Sequence, residues 1–135
     1  MTNKIVLDTN ALIQCLPNKS PYRKIWNSII EGKSFLCVSN EILEEYEEIL
    51  GRMYGRKIAE LALLAIINRP SVIFITPYYH FHLIEADPDD NKFVDCAISA
   101  NAKFIVTEDH HFDILKRIDF PKVEIIKLEE CLKQF

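Results

Sequence analysis
Short apolar runs rich in Ile, Val and Phe alternate along the chain with longer stretches of helical periodicity. The runs are KIVLD, SFLCVS, SVIFIT, KFIVTED and KVEIIKL. The stretches between them are PYRKIWNSIIEGK, NEILEEYEEILGRMYG, RKIAELALLAIINR, DPDDNKFVDCAISANA and HHFDILKRIDF. This alternation predicts an α/β sandwich, a parallel sheet covered by helices. Several of the predicted helices end in Gly or Asn, as helix C-termini commonly do. No Gly/Ser linker, repeat or low-complexity tract divides the chain, so residues 1–135 are expected to form a single domain. TPYYHFHLIEA reads as a passage of strand or loop.

In open parallel sheets, ligands bind in the crevice beyond the carboxyl ends of the strands, so the polar residues closing each apolar run are the ones to weigh. Asp8 closes IVLD, Ser39 and Asn40 close FLCVSN, and Thr107, Glu108 and Asp109 close FIVTED. Asp8, Thr9 and Asn10 are also types that cap a following helix, which accounts for them without any chemistry. The charged residues after VEIIKL read as the solvated start of a helix.

The helix after VSN is rich in glutamate, and a wheel of roughly 100° per residue sorts its acids. Ile42, Leu43, Tyr46, Ile49, Leu50 and Met53 form the apolar stripe. Glu41, Glu44 and Glu48 fall away from it and are expected on the surface. Glu45 and Glu47 flank it on opposite borders, and either is placed to reach the sheet edge. In the second half, Asp87 has the place of an N-cap and Pro88 that of the first helical residue. Asp89 and Asp90 then lie at the positive end of the dipole. Asp90 leads into the stripe of Phe93, Ala97 and Ala100, whereas Asp95 lies about 140° around that helix and roughly 7.5 Å further along it. Asp90 is therefore the favoured acid.

Asp8, one of Glu45 or Glu47, Asp90 and Asp109 are thus predicted to converge on one edge of the sheet, with no Lys or Arg needed to hold them. Carboxylates so crowded raise one another's pKa and destabilise the fold unless a cation joins them, and Mg²⁺ or Mn²⁺ takes oxygen ligands of this kind. A cation held there activates water and stabilises charge on a phosphodiester, which points to hydrolysis of a nucleic-acid backbone. A haloacid-type phosphotransferase would need a second aspartate where Asn10 stands. A phosphoacceptor receiver domain would need paired acids after the first run, and LDTN supplies one.

The net charge of −4 argues against a surface coated in basic residues, and part of it would belong to the acid cluster and be neutralised by its cation. With 49% hydrophobic and 27% charged residues, the composition is that of an ordinary globular protein. No apolar run approaches the roughly 20 residues of a membrane span and no signal-type segment opens the sequence, so a cytoplasmic protein without membrane association is expected. Cys15, Cys37, Cys96 and Cys131 form no C-x-x-C pair and sit among apolar neighbours, which disfavours disulfides and zinc. His80, His82, His110 and His111 lack partners at zinc spacing and are expected on the surface or in loops.

VLDTNALI, VSNEILEEYEEIL and DPDDNKFVDCAISANAKFIVTED together resemble the PIN-domain family in order and spacing, over nearly the whole chain. The likeness is strongest to bacterial toxin components of toxin–antitoxin systems, relatives of the VapC ribonucleases. It implies a PIN-like three-layer α/β/α sandwich with a central, mostly parallel sheet of four to five strands. It also implies a Mg²⁺- or Mn²⁺-dependent endoribonuclease that leaves a 5′-phosphate and a 3′-hydroxyl. The family's four acids fall on Asp8, Glu45, Asp90 and Asp109, as catalytic residues and metal ligands, so the resemblance chooses Glu45 over Glu47. Asn10 and Thr107 match the family's polar neighbours of the site. An offset of one residue after the third acid leaves Asp95 or Asp87 as further contributors. Arg52, Arg56 and Lys57 would meet the RNA backbone, although basic residues at a helix end also suit its dipole.

The implied partners are an RNA substrate, a cognate antitoxin protein and a second copy in a homodimer. The alternative is a PIN fold that binds RNA or a partner protein without cutting. The helix containing ELALLAIIN carries more apolar surface than one sheet face needs, which suits a partner or a buried core helix equally.

Overall fold
The computed structural model describes residues 3–135, and among them five strands form one sheet in which every neighbouring pair is parallel. The strands are β1 (Asn3–Leu7), β2 (Ser34–Val38), β3 (Val72–Phe74), β4 (Phe104–Val106) and β5 (Ile125–Ile126). They lie in the order β3-β2-β1-β4-β5, so the chain builds outward from β1 to β3 and then returns to place β4 and β5 on the other side of β1. The strand order therefore reverses between β1 and β4, and a crevice opens beyond their carboxyl ends. Leu7 pairs with Val106, so Asp8 and Thr107 leave the sheet side by side.

Helices α1 (Thr9–Cys15), α2 (Arg23–Ile30), α3 (Asn40–Tyr54), α4 (Arg56–Ile67), α5 (Asn91–Ala100) and α6 (Leu128–Leu132) flank the sheet in a three-layer α/β/α sandwich. Tighter 3-10 turns occupy Pro88–Asp90 and His110–Arg117. Ile5, Val6, Leu7, Leu36, Cys37, Val38, Phe104, Ile105 and Val106 are buried, the result expected when continuous apolar runs form strands covered on both faces. Helix α5 lies across β1, β2 and β4 and also meets α3, so the start of α5 comes close to the strand ends.

Several elements depart from the apolar pattern. Helix α1 starts directly after β1, and Ala11, Leu12, Ile13 and Cys15 are all buried, so little polar periodicity marks it in the sequence. HHFDILKRIDF forms a 3-10 turn instead of an α-helix, SVIFIT supplies three strand residues and KVEIIKL two. TPYYHFHLIEA is loop. Asn91 clamps that loop by accepting the Ile84 N–H and donating to the Ile84 carbonyl, both at 2.9 Å. On α3 the stripe is narrower than the wheel suggests: Ile42, Tyr46 and Leu50 are buried, whereas Met53 on the last turn is exposed. Gly55, at φ +91°, supplies the sharp turn that lets α4 follow α3 at once. All four cysteines are buried and free, and no helix among the described residues is long and apolar enough to cross a membrane.

Candidate active site
The Asp8 backbone N–H continues the β1–β4 ladder to the Val106 carbonyl at 3.2 Å, which fixes where its side chain begins. Its Oδ1 accepts the Ala11 N–H at 2.8 Å, so of the three capping types in sequence, Asp8, Thr9 and Asn10, it is Asp8 that is the N-cap of α1. Its Oδ2 accepts the Thr107 hydroxyl, and Thr107 Oγ1 in turn accepts the Asp109 N–H at 3.0 Å. Thr107 thus ties the acid after β1 to the acid after β4. Asp109 caps the following 3-10 turn through the His111 N–H at 2.9 Å.

Glu45 reaches the same edge from α3. It is half-buried while Glu47 is exposed, so α3 turns Glu45 inward. The Tyr46 hydroxyl, fully buried, donates to the Leu7 carbonyl at 2.6 Å and pins this turn of α3 to the end of β1. Thr9 donates its hydroxyl to Glu45 Oε2, and Lys92 Nζ lies 2.7 Å from Oε1. A lysine therefore does hold one of the acids, contrary to the expectation that none was needed; Lys92 follows Asp90 by two residues and reaches Glu45 from the adjoining groove.

Asp90 arrives at the junction of the 3-10 turn and α5, after Asp87 has capped that turn through the Asp89 N–H at 3.2 Å. Its Oδ2 is buried without a hydrogen-bond partner and lies 3.7 Å from His111 Nδ1, which is equally buried and unpartnered. Asp8, Glu45, Asp90 and Asp109 line one cleft of about 220 Å³ with Thr9, Asn10, Ile49 and Phe93. Four separate segments thus deliver one acid each to the crevice between β1 and β4.

Burial drives the Asp8 carboxyl up to about 6, with the charges of Asp109 and Glu45 adding to the rise and the hydrogen bonds from Thr107 and Ala11 opposing it. Asp90 is pushed up to about 7, first by burial and then by Asp87 and Asp109, with His111 pulling it back. Hard oxygen donors at raised pKa, one of them a buried atom without a donor, fit a divalent cation. Their ionised forms gain a partner when it binds.

Other residues singled out in the sequence lie elsewhere. Asp95 is buried and committed to the loop, accepting the Phe81 N–H at 3.1 Å and lying 3.2 Å from His80 Nδ1. Asp87 groups with Asp90 and His111, whose ligand atoms lie within 4.8 Å of one another. Arg52 pairs with Glu48, but it also shares with Glu45 and Lys92 a groove that adjoins the cleft. Arg56 pairs with Glu60 at 3.0 Å, and Lys57 is exposed. Lys92, His111 and the Tyr46 hydroxyl each act across elements, so the only signals for them in the sequence were the nearness of Lys92 to Asp90 and of His111 to Asp109.

Residues 4–111 match the family profile described as PIN domain. An uncharacterized protein of Methanocaldococcus jannaschii is 35% identical over 113 residues, 78% of this chain and 70% of its own length. Among solved structures, VapBC2 from Rickettsia felis bound to a promoter DNA fragment superposes with a TM-score of 0.64 at 20% identity, covering 92% of this chain and 98% of that one. The PIN domain endonuclease Utp24 does so with a TM-score of 0.55 at 17% identity, covering 92% and 84%. At those identities the structural likeness is one of fold.

Proposed function
The chain belongs to the PIN-domain family, and from that premise we propose that it is a Mg²⁺- or Mn²⁺-dependent endoribonuclease, the cytoplasmic toxin of a toxin–antitoxin pair. The observation that carries the reading is the meeting of Asp8, Glu45, Asp90 and Asp109 around one cleft, with a buried Asp90 oxygen left unpartnered. A fold-mate described as an endonuclease supports it. Asp8, Asp90 and Asp109 hold the cation, and Glu45 completes the cluster or orients the attacking water. The bound cation supplies Lewis acidity to the scissile phosphate and lowers the pKa of that water. Thr9 and Lys92 hold the two oxygens of Glu45, which fixes the direction from which its carboxylate enters the cleft. Thr107 keeps Asp8 and Asp109 in register, and Asn10, exposed at the cleft, is placed for a backbone contact to RNA.

The proposal includes protein partners. Ile58, Leu61, Leu64 and Ile67 form an exposed apolar face on α4, with Met53 and Tyr54 exposed at the end of α3. Contiguous apolar surface of this kind marks interaction sites, and the cognate antitoxin and the second copy of a homodimer are the partners assigned to it.

Purified protein is expected to cut labelled RNA with Mn²⁺ or Mg²⁺, to stop in chelator and to leave 5′-phosphate ends, with Asp8→Asn inactive. Cutting that persists in chelator, or in Asp8→Asn at the wild-type rate, contradicts the mechanism. Retention of RNA without cutting under any cation selects the alternative, a PIN protein that binds RNA or a partner without catalysis.

A further inference from the structure
His111 stands where the four-acid scheme has no role for it. Its backbone N–H is held by Asp109 Oδ1, and Nδ1 lies 3.4 Å from Asp109 Oδ1 and 3.7 Å from Asp90 Oδ2. Neither Nδ1 nor Asp90 Oδ2 has a hydrogen-bond partner, although both atoms are buried. A separation of 3.7 Å is too long for a hydrogen bond. It is close to the spacing of two ligands on one ion: donors about 2.1 Å from a common cation, at angles between octahedral and tetrahedral, stand ~3.0–3.5 Å apart. With its proton on Nε2, the ring has a lone pair at Nδ1, and His111 is the one residue shared by the two groups of candidate ligands, Asp87 with Asp90 and Asp109 with His110.

We infer that His111 is a ligand of the cation in this cleft, which makes the centre a mixed carboxylate–imidazole site that prefers Mn²⁺ to Mg²⁺. The inference rests on the metal-site reading above. Its physical basis is donor chemistry: Mg²⁺ takes oxygen ligands and keeps its waters, whereas imidazole nitrogen favours first-row transition ions. The competing role for His111 is that of a protonated counter-charge to Asp90 and Asp109. The two roles predict opposite responses to its removal, because a ligand strengthens cation binding and a counter-charge weakens it.

The test titrates the wild type, His111→Ala and His82→Ala with Mn²⁺ and with Mg²⁺ by calorimetry. His82 is the control, since it is exposed and lies outside the groups of candidate ligands formed by Asp87, Asp90, Asp109, His110 and His111. His111→Ala is expected to weaken Mn²⁺ binding on the order of tenfold or more, the scale on which even an outer partner of a metal ligand acts, and Mg²⁺ binding much less. His82→Ala should bind both ions as the wild type does. Pulsed EPR of Mn²⁺ on the wild type, independent of any variant's folding, should reveal nitrogen couplings from a coordinated imidazole. An unchanged Mn²⁺ affinity in His111→Ala, tighter binding of both ions, or a wild-type spectrum without nitrogen coupling overturns the inference while leaving the carboxylate site standing. A wild type that binds neither ion overturns both.

Discussion

The outer face of α3 and the carboxyl end of β1 are both acidic, yet the fold treats their acids differently. On α3, Glu48 pairs with Arg52 one turn on, and Glu41, Glu44 and Glu47 stand in water. Exposed pairs of this kind contribute about 0–1 kcal/mol, and the unpaired acids carry little penalty because solvent screens them. At the strand end, Asp8 is buried and Asp90 has a buried oxygen without a donor, and their carboxyls are pushed up to about 6 and about 7. Lys92 reaches this edge, but its contact is with Glu45. The number of acids does not distinguish the two regions. Burial without sufficient counter-charge does, and that is the arrangement a cation would complete.

Substituting the buried acids has the largest expected effect on this contrast. Asp8→Asn should lower Mn²⁺-dependent cleavage on the order of 100-fold or more, as loss of a group acting directly on developing charge does. Without cation, the same variant should gain about 1 kcal/mol in urea unfolding at neutral pH, since Asn still caps α1 and brings no buried charge. A variant that loses activity and also loses stability would break the contrast.

A middle-sized effect is expected where Glu45 is held. Thr9→Val and Lys92→Gln should each lower kcat about tenfold with little change in KM, since each releases one oxygen of a residue that acts on the water and not on RNA binding. A rise in KM at constant kcat in steady-state kinetics would instead make Lys92 an RNA contact.

The smallest effect belongs to the outer face. Glu48→Gln should change unfolding free energy by less than about 0.5 kcal/mol and leave cleavage at the wild-type rate. A larger loss would mean that the exposed acids are part of the site.

Most of the sheet was legible because its strands are continuous apolar runs, and the reversal of strand order brings residues closing two of those runs together. Helical spacing narrowed five glutamates to Glu45 and Glu47, the family resemblance chose Glu45, and α3 does turn it inward. What remained hidden has common causes. Helix α1 is almost wholly buried, so periodicity gave no signal, and Asp8 therefore serves as its cap while also facing the cleft. Asp95 is as buried as a site acid, but its partners are a loop N–H and His80, contacts that depend on how the TPYYHFHLIEA segment folds back on α5. Lys92, His111 and the Tyr46 hydroxyl meet their partners only across elements, and one sequence without its fold carries no distance between them.

The central claim is that the acids at the end of β1 are held at a cost that a divalent cation removes. Asp8 and Asp90 have folded-state pKa values above those of an unfolded chain, so the unfolded state loses their protons first as pH rises. Their contribution to stability is therefore fully present below about pH 4 and is lost as pH climbs through about 6 and about 7. The direct measurement is urea unfolding from pH 5 to pH 8, with and without Mn²⁺, on the wild type and on Asp8→Asn. In the cation-free wild type, stability should fall across that window by about 1–1.5 kcal/mol more than in Asp8→Asn, since Asp90 is common to both, and Mn²⁺ should abolish the fall. A cation-free wild type that tracks Asp8→Asn across the window, or that Mn²⁺ fails to stabilise at pH 8, would contradict the account.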